Sequence, residues 1–230
     1  MKETFHVEQI EWIGEAAEKA GIPLPAGAMD RFDRYRTLLL EWNQKINLIS
    51  HSDEERIISR HFLGSIGILS CIQIQEGTRV LDLGSGAGFP GLPLKIMRPD
   101  LDLVLVEATR KKTVFLNSVI QTLDLSGITV VADRIENSFR EIRRVSWVVS
   151  RAVSDMSTLF KWSRPVLSTG GTLAVIKGGT AKKETDELIR RKVVRASACR
   201  RLPYNPFPEH APLEGSELVL VRKESARPTN

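Results

Sequence analysis

Along the first 75 residues apolar side chains return every three or four positions. Val7, Ile10, Ile13 and Ala17 form one run, stopped by Gly21 and Pro23, and Phe32, Tyr35, Leu38, Leu39 and Trp42 form a second. That spacing predicts amphipathic helices. A third is predicted to start at Ser52-Asp53-Glu54-Glu55, a capping-box pattern, and to carry Ile57, Ile58, Phe62, Ile66 and Leu69. From residue 79 the period changes to short apolar runs separated by amphipathic stretches. The change predicts strands at 79–83, 102–106, 128–132, 147–150 and 172–177, with helices at 92–97, 110–123, 136–142 and 155–166 between them. A basic helix at 185–191 follows, then two closing strands at 193–201 and 217–222, joined by LPYNPFPEHAPLEGS, a loop long enough to be mobile or functional. Alternating strands and helices predict an α/β fold with a mostly parallel sheet. Residues 1–76 are read as a helical extension, 77–224 as the α/β domain and 225–230 as a disordered tail.

Composition narrows the class. A chain of 230 residues, 42% of them hydrophobic, suits one domain of ordinary size plus an extension. No window approaches the roughly 18 to 20 uncharged apolar residues of a membrane span. The start, MKETFHVEQIEW, lacks the basic and apolar regions of a signal peptide. A cytoplasmic monomer without a membrane partner is expected. Cys71 and Cys199 have no Cys or His at ligand spacing, so they read as reduced thiols and no metal is expected. The net charge of +5 is unevenly spread: residues 1–76 carry 8 Lys+Arg against 12 Asp+Glu, and residues 77–230 carry 25 against 16. Arg110-Lys111-Lys112, Arg143-Arg144, Arg190-Arg191-Lys192 and Arg200-Arg201 are candidate phosphate contacts, or else plain solvated surface.

The chemistry concentrates in LDLGSGAGFPG, residues 81–91, where a strand breaks into Gly84, Gly86, Gly88 and Gly91. Gly86 to Gly91 spells G-x-G-x-x-G, the dinucleotide fingerprint, whereas from Asp82 the stretch reads D-x-G-x-G-x-G, which is similar to the first motif of S-adenosylmethionine-dependent methyltransferases. Both templates use glycines for close backbone approach and an acid roughly 20 residues on for ribose hydroxyls, here Glu107. Three features separate them. Gly84 follows the strand directly, so the fingerprint is out of register by two. Phe89-Pro90 suits Pro in a first helical turn and removes an N–H that a diphosphate would use. Asp82 attracts a donor carrying ammonium and sulfonium groups and repels a diphosphate.

The sequence resembles the bacterial RsmG (GidB) family, which methylates N7 of a guanine in 16S ribosomal RNA. The resemblance runs through LLLEWNQKINLIS, RHFLGSI, DLGSGAGFPGLPLKIMRPD, EATRKKTVFL, DRIE, VVSRAV and LAVIKGG. It implies a Rossmann-like class I methyltransferase sheet with one antiparallel strand near the C-terminus and a helical N-terminal extension. It also implies S-adenosylmethionine as methyl donor, 16S ribosomal RNA or the small-subunit particle as partner, and donor contacts at Gly84, Phe89, Ile135, Glu136 and Arg151, with Glu107 on the ribose. Gly86 and Asp82 join that set from the loop motif. Where relatives commonly carry an acid in H-x-L-D-S, this chain has Gly64, which removes any role for that acid. His61 is read as a hydrogen-bonded helix residue.

Guanine N7 is a lone pair that needs no deprotonation, so a positioning mechanism without a general base is expected, with Arg151 the nearest catalytic candidate. The chain has no N-P-P-Y after the fourth strand, where Ser150-Arg151-Ala152 stands, and Tyr204-Asn205-Pro206 belongs to the late loop. Lys177, Arg110–Lys112 and Arg190 are candidate RNA contacts, and Phe89, Trp42 or Phe207 candidate stacking rings. An NAD(P)-dependent oxidoreductase and a donor-binding regulator without catalysis are the competing readings.

Overall fold

Runs of Val, Leu and Ile at the expected places form one sheet in the computed structural model, which describes residues 2–151, 153–211 and 213–225. Its strands are β1 (Arg79–Leu83), β2 (Asp102–Val106), β3 (Ile128–Val131), β4 (Val145–Arg151), β5 (Leu167–Lys177), β6 (Cys199–Pro203) and β7 (Glu217–Arg222), in the order β3-β2-β1-β4-β5-β7-β6. Pairs from β3 across to β5 are parallel, and β7 runs antiparallel between β5 and β6. Every central strand is buried on both faces, which is why its sequence is almost unbroken apolar. Leu81, Leu83, Val104, Val106 and Val148 face a layer containing the helices Met156–Ser163 and Ala181–Arg190. Val80, Leu103, Leu105, Val149 and Ala174 face the opposite layer, where α1 (Lys2–Lys19), α2 (Ala28–Asn43) and the helices Gly91–Met97 and Arg110–Thr122 pack.

The apolar cluster on that second face runs from Ile13, Phe32 and Phe62 straight into the sheet, so it crosses position 76 without a break. The N-terminal helices are therefore one layer of the same core. The last five residues of the expected tail, 226–230, lie outside the described residues.

Two local expectations give way. No capping box forms at Ser52. Ser50 holds the N-cap position of a tight turn, His51–Arg56, without a side-chain cap, and the Ser52 hydroxyl meets that of Ser50 at 3.0 Å. Asn43 governs this stretch, because its Oδ1 accepts from the N–H groups of Leu48 and Ile49, both at 3.0 Å, and its amide donates to Glu54 at 2.7 Å. The chain continues in a widened π-type turn, Ile57–Leu63. The second correction is the strand at 193–201, which shrinks to Cys199–Pro203. Lys192 turns the chain at φ 56° and Ala196–Ala198 is a 3-10 turn, while β7 offers partners only to 199–203.

The long loop after β6 is docked onto the N-terminal layer. The Tyr204 hydroxyl donates to the Gly64 carbonyl at 2.8 Å, and Phe207 and Ala211 are buried. His210 stacks on Trp12 at 5.2 Å and stands 3.0 Å from Glu15, while Glu209 pairs with Lys19. Pro206 packs so tightly on Gly67 that a Cβ there would stand 2.2 Å from its Cγ. Gly67→Ala is therefore expected to cost about 1 to 3 kcal/mol of overpacking. Urea unfolding measures this, and a variant as stable as the parent would contradict the docking of residues 204–216.

Candidate functional site

The glycine loop is fastened from both sides. Gly84 and Ser85 donate their N–H groups to the Val106 carbonyl at 2.9 and 3.0 Å, and the Ser150 hydroxyl donates to the Leu83 carbonyl at 2.9 Å. The Tyr35 hydroxyl of α2 reaches across to donate to the Ala87 carbonyl. At φ 54°, Gly86 adopts a conformation that favours glycine, and a Cβ there would meet only the Gly84 carbonyl, at 3.9 Å. The space in front of Gly86 is thus open. Its N–H donates to Oε2 of Glu107 at 2.9 Å, and Thr109 donates to Oε1 at 2.7 Å, so one carboxylate at the end of β2 ties two turns together.

Beside this loop, at the carboxyl ends of β1, β2 and β4, lies a cleft of ≈ 550 Å³. Seven of the eight residues singled out in the sequence line it: Gly84, Gly86, Phe89, Glu107, Ile135, Glu136 and Arg151. An open sheet places ligands at this edge, beside the point where the chain reverses its winding from β1 to β4. Ile135 begins the one-turn helix Ile135–Ser138 and is buried, whereas Glu136 is exposed on the rim. His61, Leu48, Ile49, Lys112, Arg134 and Trp162 complete the walls. Of these six, Lys112 was a candidate RNA contact and the others were assigned no place in the cleft by the sequence; His61, Lys112 and Trp162 come from helical elements and Leu48, Ile49 and Arg134 from loops whose position only the folded sheet sets.

Asp82 is the exception. It alternates onto the other face of β1, is fully buried, and is absent from the cleft wall. Its Oδ2 accepts the N–H of Gly91 at 2.9 Å, an approach only glycine permits, since a Cβ at 91 would stand 2.7 Å from that oxygen. Its Oδ1 is buried with no partner. Burial pushes the Asp82 carboxyl up to about 7 against the pull of the Gly91 hydrogen bond. In place of meeting a donor's ammonium group, this carboxyl braces the loop from beneath. Pro90, expected in the first turn, sits at the N-cap of Gly91–Met97 and follows a cis peptide bond.

The N-terminal layer supplies His61 to the wall, close to Phe89 of the loop and Arg151 of β4. His61 stacks on Phe89 at 4.8 Å, and its Nε2 is buried without a hydrogen bond, 3.7 Å from Asp53. Desolvation, with Arg151 next, lowers its pKa to about 3, so the ring is neutral at neutral pH. The reading of His61 as a hydrogen-bonded residue is therefore corrected at Nε2. Asp53 instead pairs with Arg60 at 2.8 Å, and Arg151 donates to the Arg60 carbonyl at 2.8 Å. A Cβ on Gly64 would lie 3.5 Å from Nη1 of Arg151. Gly64 thus packs directly against this guanidinium and supplies it no carboxylate.

Other candidates fall away from the cleft. Lys177 is held by Glu184 at 2.8 Å and by the Ser154 carbonyl at 3.0 Å, and Arg190 and Arg191 both pair with Glu187. Trp42 packs edge-on against Phe115 at 5.7 Å, and Phe207 is buried in the core. Of the three proposed stacking rings only Phe89 reaches the cleft. Among the described residues no group of three or more His, Cys, Asp or Glu could hold a metal ion, and no helix is long and apolar enough to cross a membrane.

Residues 28–203 match the family model GidB, described as rRNA small subunit methyltransferase G. The chain is 33% identical over 235 residues to the ribosomal RNA small subunit methyltransferase G of Caldanaerobacter subterraneus subsp. tengcongensis, covering 96% of this chain and 93% of that one. It is 37% identical over 182 residues to the protein of the same name from Staphylococcus carnosus, covering 77% and 76%. Among solved structures it is similar to a SAM-dependent O-methyltransferase from Thermotoga maritima, with a TM-score of 0.54 at 17% identity over 84% of this chain and 73% of that one. It is likewise similar to a precorrin-6y C5,15-methyltransferase from Geobacter metallireducens, with a TM-score of 0.51 at 12% identity over 70% and 87%. At those identities the structures establish the fold, a class I methyltransferase sheet.

Two outcomes follow from the loop. Gly86→Val fills the open space with a β-branched residue at positive φ, and calorimetry is expected to show donor binding lost while the circular dichroism of the helices persists; a valine variant that binds normally would clear residue 86 of the site. Asp82 sets a pH dependence. An unfolded carboxyl titrates near 3.9, so its elevation to about 7 favours the protonated form in the folded state. The carboxyl costs nothing below about pH 4, and its cost grows as pH rises to about 7, to on the order of 4 kcal/mol. Urea unfolding across that range should show the parent losing stability relative to Asp82→Asn; parallel curves would place the carboxylate elsewhere.

Proposed function

The chain belongs to the GidB family of rRNA small subunit methyltransferases, and from that premise we propose that its cleft binds S-adenosylmethionine and delivers the methyl group to N7 of a guanine in 16S ribosomal RNA. The protein is an S-adenosylmethionine-dependent rRNA methyltransferase. The observation that carries the reading is the meeting of Gly84, Gly86, Phe89, Glu107, Ile135, Glu136 and Arg151 on one cleft.

The residues fit the donor in chemistry as well as position. Each oxygen of Glu107 keeps a lone pair beyond its backbone bond, enough to accept both ribose hydroxyls. Open space before Gly86 admits the close approach of a ligand. Ile135 and the backbone of its turn wall the adenine end, and Arg151 offers a cation to the donor's carboxylate. Bound S-adenosylmethionine supplies an electrophilic methyl group on a sulfonium.

At the acceptor, guanine N7 shares its lone pair with the methyl carbon as the carbon–sulfur bond breaks and its electron pair stays with sulfur. No proton moves, so no general base is required. Phe89, buried and stacked with His61 and Tyr35, stiffens this wall of the cleft from within. A neutral His61 adds no cation next to the sulfonium. The contribution of the protein is alignment, together with exclusion of water from a cleft walled by Leu48, Ile49 and Val106.

The test is a tritiated-methyl transfer assay with 16S RNA and with the small-subunit particle, followed by nuclease digestion and mass spectrometry. One 7-methylguanosine per RNA is expected. Methyl on any other atom would refute the N7 assignment, and no transfer to either substrate would refute the activity. Calorimetry with S-adenosylmethionine and NADH side by side should show binding of the former alone.

A further inference from the structure

We infer that the amino end of the sheet carries a second surface, built to grip the phosphate backbone of the RNA substrate away from the reaction centre. The inference rests on the proposed rRNA substrate. Two hollows that share Phe160, Arg164, Val193 and Lys223 form a continuous groove at that end. Its walls carry Arg144, Lys161, Arg164, Lys192, Arg222 and Lys223. Glu224 is the one acid among the described lining residues, and it pairs with Arg195 at 3.5 Å. None of the six cations has a carboxylate within 4.0 Å among the described residues.

The cluster is fixed on rigid elements. Val145 and Leu167 begin β4 and β5, Arg222 ends the antiparallel β7, and Arg164 follows the helix Met156–Ser163. Arg144 and Lys223 both donate to the Leu167 carbonyl, and Lys223 donates as well to the Arg164 carbonyl at 2.7 Å. Capping those carbonyls accounts for two of the cations. It does not account for exposed Lys161, Arg164 and Lys192, whose side chains donate no hydrogen bond among the described residues, or for Arg222, whose side chain has only a 3.3 Å contact with the Gly170 carbonyl. Desolvation and the neighbouring Arg144 and Arg164 lower the Lys223 pKa, so the crowding of like charge is felt within the fold. A polyanion relieves that repulsion by replacing released counterions with its own phosphates.

The groove is distinct from the cleft. Six residue steps along β4 separate Val145 from Arg151, about 20 Å at about 3.3 Å per residue. An RNA held at both places must be folded and larger than the target nucleotide's own loop. Two of the cationic clusters in the sequence reach the groove only in part, through Arg144 and Lys192, while Arg190 and Arg191 share the single carboxylate of Glu187.

The test is the triple variant Lys161→Ala, Arg164→Ala, Arg222→Ala, beside a charge-retaining triple with Arg, Lys and Lys at the same positions. Methyl-transfer kinetics are read across a salt series on whichever RNA substrate the parent methylates. The alanine triple is expected to raise KM for RNA about tenfold and to reduce the salt slope by about 2, from three phosphate contacts at about 0.7 each. Its kcat and donor affinity should stay at the parent's values, and the charge-retaining triple should behave as the parent. Transfer with unchanged KM and slope would overturn the groove alone. No transfer by the parent would overturn the rRNA reading and the groove with it. Loss of binding to phosphatidylglycerol vesicles with RNA affinity intact would assign the groove to a membrane surface and overturn the proposal.

Discussion

The contact on which the site depends is the hydrogen bond from Gly91 N–H to the buried carboxyl of Asp82. It joins the last turn of the glycine loop to the middle of the sheet, and it exists because residue 91 has no side chain to keep the two apart. From that anchor the loop rises to Tyr35 on one side and Glu107 on the other, each holding a different peptide group. A carboxyl buried with an unpartnered oxygen is an expensive brace. Its position beneath the cleft fixes the curvature of a backbone that must leave room for a ligand above.

The second constraint comes from the N-terminal layer. α2 supplies Tyr35, which stacks on Phe62 at 5.1 Å and on Phe89 at 5.7 Å, while the π-type turn supplies His61 to the far face of Phe89's neighbourhood. A widened turn changes which side chains share a face, so His61 lines the cleft while Ile57, Ile58 and Phe62 stay in the core. The loop after β6 then clamps this turn from outside through Tyr204 on Gly64. Three segments far apart in sequence therefore set the position of one aromatic ring.

Much of this was legible in the residues. Period-two and buried apolar runs located six of the seven strands and only the end of the seventh, β6, and the glycine spacing with an acid at 107 located the cleft edge of the sheet, since these are local consequences of backbone geometry. What was not legible depended on partners. Asp82 has the same letter whether it faces the cleft or the layer beneath, and only the pleat of β1 decides. Ser52 has the letters of a cap, but Asn43 takes the backbone groups nearby and Ser50 takes the cap position. The charge asymmetry between the two parts of the chain is real, yet Lys177, Arg190 and Arg191 spend it on Glu184 and Glu187. Net charge counts cations; it does not say which of them are already answered.

A glycine at position 64 places no acid beside Arg151. With no carboxylate at 64, Arg151 rests on the carbonyl of Arg60, and Asp53 is left to answer Arg60. Arg151 therefore keeps its charge unpaired by any acid within 4.0 Å among the described residues and lines the cleft with Lys112 and Arg134. The same unpaired guanidinium, after desolvation, is what depresses the pKa of His61. A carboxylate beside Arg151 would weaken both effects. In this chain the cation is held by a neutral oxygen, which positions the guanidinium without cancelling its field, and the adjoining imidazole stays uncharged because it is desolvated, with that field adding to the effect. At this corner of the cleft a fixed positive charge thus stands beside a neutral ring, an arrangement suited to an anionic carboxylate near Arg151.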